Sequence, residues 1–245
     1  MLASNVKPFE TPMPGPVIFK RLWETGLLKN NEVAALAGLS WTRQNVPADG
    51  SIDSRRDLCL LSSGMVFRQR TMEDGVRRLM SMVVPGDICC YAIVTGHMTL
   101  STLCAVTPCT VMRAPMEEVI TLCEHYPNIL AALLANLSID TAVTEELLLS
   151  IGHRTALERM AHFLCELEFR LRRVRLADHA QFLLNMTQAD MGAYLALSAV
   201  HVNRTLQELR RRGLVRTVGA RINLLDQAEL QRIAGFSPAY LTDAR

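Results

Sequence analysis

The amino-acid sequence predicts an α+β chain in three parts. An antiparallel β-roll (jelly roll) comes first, a single long amphipathic helix follows, and a small helical domain with a two-stranded ribbon ends the chain. Three observations predict it. From about Arg43 the chain runs in short segments, RDLCLLSSGMVFRQR, VRRLMSMVVPGDICC, HMTLSTLCAVTPC and CTVMRAP, of alternating character and broken by Gly, Pro and Asp. Beyond Pro127 the leucines recur at helical spacing. Between Thr187 and Arg212, TQADMGAYLALSAVHVNRTLQELRRR holds two short helical patterns separated by a break.

Residues 1–17 are proline-rich and are expected to form a flexible N-terminus. Two short helices are expected between Ile18 and Leu39, around a turn at Thr25 and Gly26. They open a β-roll unit spanning residues 18–126. In that unit Gly64, the Glu73-Asp74-Gly75 cluster and Pro85-Gly86 supply turns, the second of the Asp-Gly hairpin type. A helix from Met116 to Tyr126 closes the unit. Residues 127–151 form the long helix, with Leu130, Leu133, Leu134, Leu137, Val143, Leu147 and Leu148 as its apolar stripe. Such a stripe, lying between two domains, suits a two-fold dimer seam, for which Leu130, Leu133, Leu137 and Leu148 are the candidates. Gly152 marks a hinge into a last domain, 152–245. Its first helix, Ala156 to Arg172, turns Met160, Phe163, Leu164 and Leu167 inward.

Composition narrows the class. At 245 residues and 49% apolar content the chain has ample material for real cores. The net charge of +2 hides an asymmetry. Up to Leu149 there are 12 basic and 15 acidic residues, and from Ser150 onward 14 basic and 9 acidic, every basic one of the second set an arginine. Arginine's planar guanidinium suits phosphate and guanine alike. No apolar run reaches the length of a membrane span and no signal-peptide core is present, so a cytoplasmic protein with seven reduced cysteines is expected.

The basic second half centres on 187–212. Thr187 is expected to cap a helix that buries Met191, Tyr194 and Leu195. Ser198 caps a second that buries Val202, Leu206 and Leu209. His201, Asn203, Arg204, Gln207, Arg210 and Arg211 are left on the surface. Asn matches the donor and acceptor pair of adenine and Arg the paired acceptors of guanine, whereas Arg210 to Arg212, further along, suit phosphates. With LVRTVGARINLLD adding two strands around Gly219, the unit reads as a winged helix-turn-helix. Thr187, Gln188, Ser198, His201, Asn203, Arg204, Gln207, Arg210 and Arg211 are its candidate DNA contacts.

LCLLSSGMVFRQR, VVPGDIC, LLLSIGHRTALERMAHFL and TQADMGAYLALSAVHVNRTLQELRRRGLV together resemble the family of the cyclic-AMP receptor protein and the fumarate-nitrate regulator. The resemblance runs from about Phe19 to Phe236. It implies a homodimeric transcription factor on a near-palindromic double-stranded DNA site, with RNA polymerase as a further partner. Best-known members carry a glutamate at the position of Val200, a serine or glycine at Asn203 and an arginine at Arg204. Only the arginine is kept, so the half-site should differ from theirs, with His201 and Asn203 as new readers.

In the cyclic-nucleotide binders of that family a glutamate after a Gly-Asp turn meets the ribose and an arginine pairs with the phosphate. Here the turn is Gly86-Asp87, but Tyr91 replaces the glutamate and Thr99 the arginine. Without a charge partner a buried phosphate is costly, so a cyclic nucleotide is not expected. Gly86, Asp87, Tyr91, Thr99 and Ser101 are the expected effector pocket, its ligand unnamed. The oxygen-sensing branch holds a cluster on N-terminal cysteines, and none precedes Cys59. Haem would draw on His97 or His125, and His162, Cys165 and Glu166 share a helix face, yet neither set calls for a metal. No cofactor is assigned, and an effector-independent or thiol-redox-responsive DNA-binding regulator is the alternative reading. No nucleophile and base or paired carboxylates converge in the sequence, and a cupin-like enzyme would need more ligands than the His97 its roll offers.

Overall fold

The computed structural model describes residues 17–53, 56–89 and 101–242. A 3₁₀ turn, Val17–Phe19, leads into α1 (Lys20–Glu24); the chain turns at Gly26, with φ of 68°, into α2 (Asn30–Ala37). Seven strands follow among the described residues: β1 (Thr42–Val46), β2 (Ser51–Ile52), β3 (Asp57–Ser63), β4 (Val66–Thr71), β5 (Arg77–Val83), β6 (Thr102–Ala105) and β7 (Cys109–Pro115). They make two antiparallel sheets, ordered β1-β7-β3 and β2-β6-β4-β5. Val46, Cys59, Leu61 and Val111 from the first sheet meet Ile52, Val66, Val83 and Leu103 from the second in one buried layer. β1 and β2 were not resolved as strands by pattern alone: two residues are too short to show alternation, and β1 is mostly exposed.

The second half is helical. α3 (Met116–His125) and α4 (Pro127–His153) are followed by α5 (Ala156–Arg173). The small strands β8 (Ala177–Asp178) and β9 (Gln181–Leu183) join β10 (Val215–Val218) and β11 (Arg221–Leu224) in a sheet ordered β10-β11-β9-β8. Between them lie α6 (Gln188–Leu195) and α7 (Ala199–Arg211). α8 (Gln227–Ala234) and a 3₁₀ turn, Pro238–Leu241, complete the described chain. No helix among the described residues is long and apolar enough to cross a membrane.

α4 corrects two expectations. Leu133, expected on a dimer seam, is 1% exposed and packs with Phe19, Leu22 and Ile129 inside its own chain. Gly152, expected as a hinge, lies within the helix, and the break falls at Arg154 and Thr155. The reason is the stronger local signal one turn on. Thr155 Oγ accepts from Glu158 N while Glu158 accepts from Thr155 N at 2.8 Å, a capping box that fixes where α5 starts. What α4 leaves outward is regular: Leu130, Leu134, Leu137, Thr141, Thr144 and Leu148 are exposed or half-buried at alternating spacings of four and three. That is the repeat of a coiled-coil seam.

The β-roll and the last domain are not separated by a bare hinge. Met65, Phe67, Met82 and Val84 of the roll share one apolar cluster with Phe163, Tyr194 and Leu195, and the Phe67 and Tyr194 rings lie 5.8 Å apart. α6 rests on β5. Beside this contact sits a buried ion cluster. Asp87 binds Arg21 of α1 and, at 2.6 Å, Arg170 of α5. Arg21 also reaches Asp140 of α4 at 3.1 Å, and Arg170 reaches Glu166 at 3.2 Å and donates to the Met82 carbonyl. Burial alone would raise the Asp87 pKa; the two guanidiniums and the Val84 N–H outweigh it and hold the carboxyl below its ordinary value. Gly86 makes the approach possible: its φ is 91°, and a Cβ there would lie 2.9 Å from Val174 of the last domain.

Candidate nucleic-acid interface

α6 and α7 form a helix-turn-helix for local reasons. Thr187 Oγ accepts from Asp190 N at 3.0 Å and Asp190 accepts from Thr187 N, so the first helix starts at a capping box. It stops where Ala196 takes a left-handed φ of 51° and the Leu197 N–H returns to the Gly192 carbonyl. Gly192 is required there, since a Cβ would stand 2.5 Å from the Leu197 oxygen. Arg159 of α5 locks the turn from behind, donating to the Leu195 carbonyl at 2.6 Å and to the Ile151 carbonyl at 2.9 Å. One side chain thus fastens the turn to the end of α4.

Ser198 then caps α7, accepting from His201 N at 3.2 Å. The same hydroxyl lies 3.1 Å from His201 Nδ1. The hydroxyl, which has one proton and a second lone pair, can pair with Nδ1 in either direction. Val202, Thr205, Leu206 and Leu209 are buried, as the periodicity predicts for the three apolar ones. Val200, Asn203, Arg204, Gln207, Arg210 and Arg211 are all exposed and fall on one face at helical spacing, with His201 at its edge.

The arginines on that face differ. Arg211 is held by Glu208 through two bonds of 2.9 and 2.8 Å, and Arg212 by the same carboxylate at 2.7 Å. These hydrogen bonds pull the Glu208 pKa down to about 2, so it stays ionised. Arg204 and Arg210 make no ion pair with a described residue. Their guanidiniums are available to an external acceptor, whereas Arg211 must first leave Glu208. Thr187 and Gln188 are exposed at the start of α6, with the Thr187 hydroxyl spent on the cap. The ribbon stands where the sequence places it, around Gly219, but two of its side chains were not among the candidates: Arg216 on β10 and Arg221 on β11 are exposed on either side of the turn. The signal was there, two arginines flanking a turn glycine.

Of the expected effector residues, Gly86, Asp87 and Ser101 are described. Tyr91 and Thr99, together with Cys90 and His97, lie outside the described residues. Ser101 is half-buried just before β6, Gly86 makes the turn described above, and the Asp87 carboxylate is committed to the ion cluster. A cavity of about 250 Å³ does lie between β4, β5 and α4, walled by Arg68, Met82, Leu137, Thr141, Thr144 and Arg170 among others. Arg68 there donates to the Cys89 carbonyl at 2.7 Å.

Burial pushes Cys89 well above the ordinary thiol range, Cys109 upward, and Cys165 up to about 12. His162 Nε2 sits 3.4 Å from a Glu146 oxygen but out of line for a hydrogen bond. Burial and the Arg154 charge bring its pKa down to about 4. Glu166 is bound by Tyr240 at 2.7 Å and by Arg170. His125, exposed at the end of α3, bonds the Thr121 carbonyl one turn back.

Comparison with known proteins meets this geometry at the same residues. Residues 158–233 match the model of the Crp-like helix-turn-helix domain. The chain is 27% identical over 185 residues to the fumarate and nitrate reduction regulatory protein of Vibrio cholerae, covering 76% of this chain and 74% of that one. It is 27% identical over 202 residues to the nitrogen fixation regulation protein FixK of Azorhizobium caulinodans, 82% of this chain and 81% of the relative. Among solved structures, FixK2 from Bradyrhizobium japonicum superposes over 81% of this chain and 100% of its own, with a TM-score of 0.72 and 23% identity. Residues 158–233 thus carry a Crp-like helix-turn-helix domain, and over most of its length the chain is similar to DNA-binding transcription regulators of the Crp/Fnr type.

Proposed function

We propose that the chain acts as a homodimer on a two-fold symmetric DNA site, each α7 entering a major groove. Arg204 reads guanine, Asn203 reads adenine, and His201 offers a donor to an acceptor on a neighbouring base or phosphate. Gln188, Gln207, Arg210 and Arg211 hold the backbone, joined by Arg216 and Arg221 of the ribbon, while Thr187 and Ser198, at the capped helix starts, position the two helices on the DNA. The observation that carries this reading is the exposed face of α7, where Arg204 stands free of any described acid beside Asn203 and near the capped helix start. The dimer rests on the seam from Leu130 to Leu148, whose middle positions, Thr141 and Thr144, also wall the cavity. In functional terms residues 18–126 sense, 127–151 dimerise and 152–245 bind DNA, with RNA polymerase as the further partner. We place the effector in the cavity between the roll and α4, and expect no cyclic nucleotide there.

Selection of bound duplexes from a random pool tests the reading, with sedimentation of the protein alone and on DNA. Two inverted half-sites, one helical turn or a multiple of about 10–10.5 base pairs apart, and a dimer mass are expected. No enriched sequence would overturn the reading of α7. A single unrepeated motif bound by a monomer would overturn the dimer.

A further inference from the structure

Val200 is the second residue of α7, is 69% exposed, and is the one large exposed apolar residue of that helix among the described residues. Nothing in the fold asks for it. Its side chain lies opposite the face that buries Val202, Leu206 and Leu209. Valine is also a weaker helix former than the alanine beside it. What valine does bring is rigidity, because a β-branched residue in a helix holds nearly one rotamer and has little side-chain freedom to lose on contact. Asn203 and Arg204, three and four residues on, are its neighbours on the helix surface.

Resting on the reading of α7 as the groove helix, we propose that Val200 is a specificity residue that reads one thymine per half-site through its 5-methyl group. The chemistry leaves one target. Valine has no donor or acceptor, so phosphates and the polar base edges gain nothing from it. Covering the cytosine amino group or the guanine acceptors with an isopropyl group would strip them of water without replacing the bond. The thymine methyl is the apolar feature of the major groove, and contact with it removes apolar surface from water on both sides. The thymine lies beside the base pairs contacted by Asn203 and Arg204.

The test uses the full-length protein and its selected site, with each thymine replaced in turn by deoxyuridine, which differs only by the missing methyl. One position in each half-site is expected to weaken binding by about fourfold, the worth of one buried methyl-sized group. Val200→Ser should bind the thymine and deoxyuridine probes alike at that position while melting like the parent, since the residue is exposed. Specific binding with no methyl-sensitive thymine, or with a sensitivity that Val200→Ser retains, would overturn the role of Val200 and leave the DNA-reading helix standing. Absence of any sequence-specific binding would remove both.

Discussion

Two arginine-rich regions of this molecule use the same side chain in opposite ways. At the junction of the roll and the last domain, Arg21 and Arg170 are buried and share Asp87, with Asp140 and Glu166 completing the set. On α7, Arg204 and Arg210 are exposed and pair with no described carboxylate. A buried guanidinium without its acid costs several kcal/mol, so the first region must satisfy itself. The second is solvated at no such cost and keeps its donors for another molecule. Arginine content alone therefore says little; what matters is whether the fold supplies the acid.

The contrast predicts different losses. The largest belongs to the junction: Asp87→Ala leaves two buried guanidiniums without their shared carboxylate and should destabilise by about 3–5 kcal/mol in chemical denaturation. A change under about 1 kcal/mol would mean that solvent reaches the cluster. Next is His162, whose pKa is 6.5 when unfolded and about 4 in the fold. The fold favours the neutral ring, so its stability is whole above pH 6.5 and falls by up to about 3 kcal/mol as pH drops to 4. His162→Gln should remove that part of the pH slope; an unchanged slope would assign it to other groups.

Arg204→Ala should leave stability within about 0.5 kcal/mol and cost about 1–3 kcal/mol of binding to the selected site, in a titration at fixed salt. The smallest effects separate neighbours. Arg210→Ala should lower the salt dependence of binding by about one unit of slope, as expected for one lost phosphate contact. Arg211→Ala should lower it less, because Arg211 is already held by Glu208. Equal slopes for the two variants would show that Glu208 releases Arg211 on DNA.

The legible parts of this molecule are those whose physics is local. Thr187 and Ser198 announce the helix starts, Gly219 the turn of the ribbon, and the spacing of Val202, Leu206 and Leu209 the buried face. Each signal fits within a dozen residues. The junction was not legible, because Arg21, Asp87 and Arg170 are 66 and 83 residues apart and each reads alone as an ordinary surface charge. Asp87 was placed instead by the turn it belongs to. Leu133 was misplaced for a related reason: α4 is apolar on more than one side, and only the packed structure shows which side the N-terminal helices cover. β8 and β9, two and three residues long, have no period to read.

The central claim is that the outward face of α7 reads bases. It is tested most directly by the ratio of affinities for the selected site and for a scrambled duplex, measured for the parent and for Arg204→Ala at one salt concentration. The account predicts that the substitution collapses the ratio by about tenfold or more, while affinity for scrambled DNA changes little. A ratio left intact, or a uniform loss on both duplexes, would contradict it and make Arg204 a phosphate contact.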